Sequence, residues 1–167
     1  MTPQQLANKY RIGHSTVQEI IHDGVRILCS VLVPHSIRFP TGEELEQVMV
    51  DFERLSAKPG KAGLPLCAGA MDGTFMKILK PSLWGDSYYC YKSFIAIVIL
   101  AVVDARCIFT YIDAERAGSM GDAYTYNHSS LKHRISSGQW QRHPGRIIKD
   151  VLVKSYLVGD SAFALSP

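Results

Sequence analysis

The sequence has no CxxC pair, no zinc-type spacing of Cys and His, no internal repeat and no low-complexity segment. These absences exclude a zinc finger, a thioredoxin-like redox motif and a repeat architecture. The four cysteines, Cys29, Cys67, Cys90 and Cys107, therefore read as reduced, mostly buried thiols of an intracellular protein. A strong excess of one charge is also missing. Eighteen basic against fifteen acidic residues give a net charge of +3, which permits a nucleic-acid partner without requiring one. The opening Thr2-Pro3-Gln4-Gln5 has neither the basic nor the apolar part of a signal peptide. The longest apolar stretch, Phe94 to Val103, is about half of a ~20-residue membrane span. No membrane association is expected, and the chain reads as soluble and cytosolic or nuclear.

What remains is ordinary globular composition, 47% hydrophobic and 20% charged over 167 residues. That length suits one domain, or one domain with a small appendage.

Residues 1–58 read as helical. Pro3 suits a first helical turn, and Leu6, Ala7 and Tyr10 share a face. Arg11-Ile12-Gly13-His14 interrupts the pattern, with Gly13 free to take a left-handed turn conformation. Ser15 reads as an N-cap, with Gln18 completing a capping box. Val17, Ile20, Ile21, Val25, Leu28 and Leu32 then repeat at helical spacing up to Pro34. A second capping box, Thr41 and Glu44, precedes the stripe Leu45, Val48, Met49, Phe52 and Leu55. Ala57 to Gly63 is loop by composition and marks the expected boundary.

From residue 64 the period changes. Leu66 to Leu79 contains strand-like pieces, and Ser93 to Val103 reads as a strand covered on both faces. Asp104-Ala105-Arg106 reads as a hairpin turn, with Cys107 to Ile112 returning. A helix is expected from Gly118–Asp122 through Leu131, a loop over residues 136–146, and another strand over Val151 to Val158.

Asp72 follows the apolar-leaning Leu64 to Met71, and Asp160 ends the run Tyr156-Leu157-Val158-Gly159. Carboxylates at the ends of buried strands are costly to desolvate unless a cation or a donor meets them. On neighbouring strands they could share a divalent ion, which removes their mutual repulsion. Hard oxygen ligands suit Mg2+ or Mn2+. The alternative is that each caps a turn, as Asp-Gly and Gly-Asp pairs do. Asp122, where a loop meets a helix, reads locally as an N-cap. Asp104 and Asp113 read as turn and strand-end residues, and Asp86 as exposed. The first two helices have the length and turn of a helix-turn-helix, which would set Arg11, His14, Ser15, Thr16 and Gln18 towards DNA. A plain pair of packed helices fits the same pattern.

Six motifs in order resemble one family. They are Ile37-Arg38-Phe39-Pro40-Thr41; Gly69-Ala70-Met71-Asp72-Gly73-Thr74; Tyr89-Cys90-Tyr91-Lys92-Ser93-Phe94; Val103-Asp104-Ala105-Arg106; Ala117-Gly118-Ser119-Met120-Gly121-Asp122 with Asn127-His128-Ser129-Ser130-Leu131; and Gly159-Asp160-Ser161-Ala162-Phe163. Together they resemble the PIF/Harbinger-type DDE transposases and Harbinger-derived nucleases. The resemblance implies an α/β fold: an RNase H-like mixed sheet over residues 64–167, preceded by the helix-turn-helix-like region. It implies a divalent-metal-dependent nuclease acting on DNA phosphodiester bonds in the nucleus, with Mg2+ or Mn2+ as cofactor. Asp72 and Asp160 match the first two catalytic acids, and Asp72, Asp122 and Asp160 the metal-binding positions. It further implies a Myb-like partner protein and leaves self-association open.

The sequence departs from the family twice. Gly121 stands where the family often has His. The family's final catalytic Glu lies well beyond the second Asp, whereas this sequence ends at Pro167. The expectation is thus a domain lacking that Glu and its last strand and helix, inactive as it stands. The alternative is a non-catalytic DNA-binding or partner-binding protein derived from a transposase.

Overall fold

A computed structural model describes residues 1–59, 63–138 and 143–163. Parts of the two expected loops, over Ala57–Gly63 and over 136–146, lie outside the described residues, as do the last four positions. The chain forms two units, Met1–Arg38 and Phe39–Pro167.

In the first unit, α1 (Pro3–Tyr10) is started by a capping box: the Thr2 hydroxyl accepts from the Gln5 amide, and the Gln5 side chain accepts from the Thr2 amide. Arg11, not Gly13, takes the left-handed turn conformation, at φ 54°. Gly13 is the N-cap of α2 (His14–Ile27), so Ser15 lies inside the first turn and forms no cap. The helical path continues through a π-turn, Leu28–Leu32, into α3 (Val33–Ser36). Pro34 has no amide to donate one turn back, and the Val33 N–H donates to the Leu28 carbonyl instead. Of the expected apolar stripe only Val17 is buried; Ile20, Ile21, Val25, Leu28 and Leu32 are exposed.

The second unit begins with α4 (Glu43–Ser56). Gly42 is its N-cap, without a side-chain bond, so the expected Thr41 capping box is not formed. Glu43, Glu44 and Glu46 in the first turn complement the helix dipole instead. Leu45, Val48, Met49 and Phe52 are buried and Leu55 is exposed. These residues pack with Leu66, Cys67 and Ala68 at the start of the first strand, which places α4 with the sheet and the unit boundary at residue 38, not in the 57–63 loop.

The main sheet has the order β3-β2-β1-β6, with β1 (Cys67–Lys77), β2 (Ala96–Val103), β3 (Phe109–Ala117) and β6 (Tyr156–Val158). The pairs β1–β2 and β2–β3 are antiparallel and β1–β6 is parallel, so the sheet is mixed. In β2 the residues Ala96, Val98, Leu100 and Val102 are fully buried and the alternate ones half-buried. The sheet is therefore not sealed equally on both faces, as the apolar run had led us to expect. The β2–β3 turn is held by Asp104, whose buried carboxylate accepts from the Arg106 and Ile108 amides and from the Arg106 guanidinium. The returning strand starts later than the sequence suggested and runs to Ala117.

Two short helices, α5 (Gly121–Asn127) and α6 (Ser130–Ser136), replace the single one expected. The break falls at Ser129, which caps α6 through the Lys132 amide. Leu131 and Tyr126 pack with Met71, Leu100, Val102, Tyr111 and Phe163 to form the core over one face of the sheet. The apolar run Val151–Val158 is likewise divided. β4 (Arg146–Ile148) and β5 (Val151–Val153) form a separate hairpin, turned by Lys149 and Asp150 at φ 49° and 64°, and only β6 joins the main sheet. Helices packed on this mixed sheet give the α/β, RNase H-like arrangement that the resemblance implied.

Candidate functional site

The parallel pair β1–β6 positions the first two acids. Its last paired residues are Ala70 and Val158. Two residues farther along each chain stand Asp72, inside β1, and Asp160, in the turn after β6. Both carboxylates are exposed, and each is oriented by one local bond: Asp72 Oδ1 accepts from the Gly73 amide at 2.7 Å and Asp160 Oδ1 from the Ala162 amide at 2.9 Å. The Asp160 turn is anchored in the core. The Asp160 carbonyl accepts from the Phe163 amide, and the Phe163 ring meets Tyr126 edge-on, with centroids 5.8 Å apart. Gly159 permits this fold-back, since a Cβ there would sit 2.9 Å from that ring.

Asp122 reaches the site from α5. It is not an N-cap: Met120 holds that position, and Asp122 lies in the first turn behind Gly121, whose φ is 71°. The Asp122 carboxylate lies against the backbone of Gly73, where any Cβ would overlap it. Its Oδ1 is buried and has no hydrogen-bond partner among the described residues. Burial pushes the Asp122 pKa up, the negative charges of Asp72 and Asp160 push it further, and the Lys92 ammonium pulls it back. Asp122 therefore feels the fields of both Asp72 and Asp160.

Strand alternation gives them different sides of β1. Met71 faces the core under α5 and α6, so Gly73 does too, and Asp72 points to the opposite, exposed face. This explains why, among the described residues, no three His, Cys, Asp or Glu side chains converge on one point as a metal-ligand set. The donors suit a hard divalent cation in chemical type, and Asp122 Oδ1 is an unmet acceptor beside them. Closing a shell requires the Asp72, Asp122 or Asp160 side chains to move.

Asp104 and Asp113 serve the hairpin and strand β3, and Asp86 pairs with Lys80 at 2.7 Å. Two residues near these acids stand in the quoted motifs, but sequence reasoning assigned neither a role. Gly73 matters for the side chain it lacks, and Lys92 for the charge it brings to Asp122.

In the first unit, α1 and α2 pack as a helical pair, and Arg11, His14, Ser15, Thr16 and Gln18 are all exposed at its turn. Ser15, Gln18, Glu19, His22, Asp23 and Arg26 line one polar groove along α2.

The family model for the DDE superfamily endonuclease matches residues 71–167, from Met71 past Asp72, Asp122 and Asp160 to the last residue. The chain belongs to the DDE superfamily endonucleases. No curated protein and no solved structure matches it. Membership makes the second unit a transposase-related nuclease domain, of a family that generally uses divalent metals and acts on DNA. Among the described residues no helix is long and apolar enough to cross a membrane.

Proposed function

We propose that this chain is a Harbinger-type member of the superfamily whose second unit holds a Mg2+ or Mn2+ ion between Asp72 and Asp160, supported by Asp122. The observation that carries this reading is the matched position of Asp72 and Asp160 on parallel neighbours, with an unpartnered Asp122 oxygen beside them. Such an ion supplies Lewis-acid activation of a water and of the phosphoryl group. Asp72 and Asp160, acceptors only when ionised, give it hard oxygens. Asp122, whose charged form is disfavoured in the free protein, gains from any nearby positive charge. The Gly73 and Ala162 amides fix the direction of the other two carboxylates.

Asp72 and Asp160 are the acids whose charges reach Asp122, and a cation among the three would relieve that repulsion. The first unit contributes DNA contacts through Arg11, His14, Ser15, Thr16 and Gln18, alone or beside a Myb-like partner, in the nucleus.

A second reading, DNA or partner binding without chemistry, is favoured by one observation: the acids do not converge on a common point. Supercoiled-plasmid nicking in Mn2+ separates the two. The first reading expects nicking that Asp72→Ala and Asp160→Ala each abolish. A folded protein that binds plasmid and never nicks it would favour the second reading.

A further inference from the structure

On the face of β1 that carries Gly73, the next outward position is Phe75. The Phe75 ring meets Tyr91 edge-on, with centroids 5.2 Å apart and planes at 86°. The Lys92 ammonium lies over both rings, 5.3 Å from the centroid of Phe75 and 5.7 Å from that of Tyr91. Tyr91 is nonetheless 75% exposed. The loop presenting Tyr91 and Lys92 is well fixed. Cys90 is buried, its amide donates to the Phe94 carbonyl at 2.9 Å, and the Ser93 amide donates back to the Cys90 carbonyl at 2.9 Å. Gly118 packs beneath it, where a Cβ would lie 3.1 Å from the Cys90 side chain and closer still to the Tyr88 and Ala96 carbonyls. A large exposed aromatic held on a rigid turn, with a cation on its flank, has no role in the packing of the core.

We propose that Phe75, Tyr91 and Lys92 form a nucleotide subsite that holds an unpaired base of a DNA strand passing beside Asp122. A base stacks on the open part of the Tyr91 ring, and the adjoining phosphate takes the Lys92 ammonium. Stacking of this kind tolerates any sequence, because every base has a π-face. Duplex DNA keeps its bases stacked inside and offers the subsite only backbone, so the ligand is a frayed or overhanging end. The position supports this choice: Lys92 is the cation whose charge reaches Asp122, so the platform and that acid lie on the same side of β1. The inference rests on the nuclease reading for the identity of the substrate, yet binding at the platform requires no metal.

Fluorescence anisotropy in EDTA tests it, using the whole chain with a blunt duplex and with the same duplex carrying a short 3′ overhang. We expect the overhang to bind at least tenfold more tightly. Tyr91→Ala should erase that preference, Tyr91→Phe should keep it, and Lys92→Gln should reduce it. Near-wild-type melting of these surface variants is the check on folding. Equal binding of both DNAs by the wild type, or an overhang preference that survives Tyr91→Ala, would overturn the subsite. The nuclease reading fails by a separate route: a wild-type chain that binds no Mn2+ yet keeps the overhang preference would remove that reading and leave the platform standing.

Discussion

Asp72 and Asp160 occupy equivalent places on parallel neighbours, each two residues beyond the paired Ala70 and Val158. Strand alternation sets the Asp72 side chain on the exposed face of β1, and Asp122 approaches from the other, against the bare Cα of Gly73.

The pH dependence of stability should report this arrangement. Asp122 has a raised pKa in the folded chain, so between the ordinary carboxylate value near ~3.9 and the raised value the folded form binds more protons than the unfolded one. Stability therefore falls as pH rises through that window. Asp122→Asn lacks this loss. In EDTA at pH 7 it should melt higher than wild type, by up to ~1 kcal/mol for a partly solvated carboxylate, or ~2–4 °C. At pH 3 the two should coincide. A lower melting temperature for the variant at pH 7 would contradict the assignment.

Gly73→Ala should damage the site at a distance from its charges. The new methyl group overlaps the Asp122 carboxylate and comes to 3.0 Å from its Cβ, so Asp122 must swing away. Overpacking of this kind costs about 1–3 kcal/mol. Loss of a supporting group typically weakens metal affinity on the order of tenfold. Thr74→Ala, at the next and exposed position, should do neither. Parallel melting and Mn2+ titration of the two variants check this.

The helical unit makes its own prediction. Its DNA affinity should fall steeply with salt, each phosphate contact adding about −0.9 to the slope of log K against log salt. Arg11→Ala should reduce that slope by ~1 if Arg11 meets a phosphate. Gln18→Ala should leave the slope and lower sequence discrimination, by about 1–3 kcal/mol for a bidentate base contact. Filter binding across a salt series measures both. Wild-type behaviour in both variants would remove this face from the DNA interface.

Thiol chemistry checks the packing. Cys67 and Cys90 are buried and burial pushes the Cys67 thiol up, whereas Cys29 and Cys107 are exposed. Iodoacetamide should add two labels to the native chain and four after unfolding, read by intact mass. Rapid labelling of Cys67 under native conditions would show that α4 does not cover β1 as described.

The sequence carried some of these features openly and hid others for physical reasons. The neighbouring placement of Asp72 and Asp160 was legible because apolar runs lead into both, and α1, α2 and α4 because their periodicity is strong. The N-caps were misread at Ser15 and Thr41, since a nearby glycine at each helix start took the cap position from the hydroxyl. The division of Val151–Val158 was hidden because its preceding turn uses Lys149 and Asp150, neither a glycine, at positive φ. The burial of Asp122 depends on a Cβ missing from Gly73, a contact between residues far apart in the chain that no local pattern encodes.

The central claim is that Asp72 and Asp160 jointly hold a divalent ion, and calorimetric titration of Mn2+ at pH 7 tests it most directly. Wild type should bind one ion, and Asp72→Ala and Asp160→Ala should each lose that binding, while Asp113→Ala should retain it. Equal Mn2+ affinity in wild type and Asp72→Ala would contradict the account.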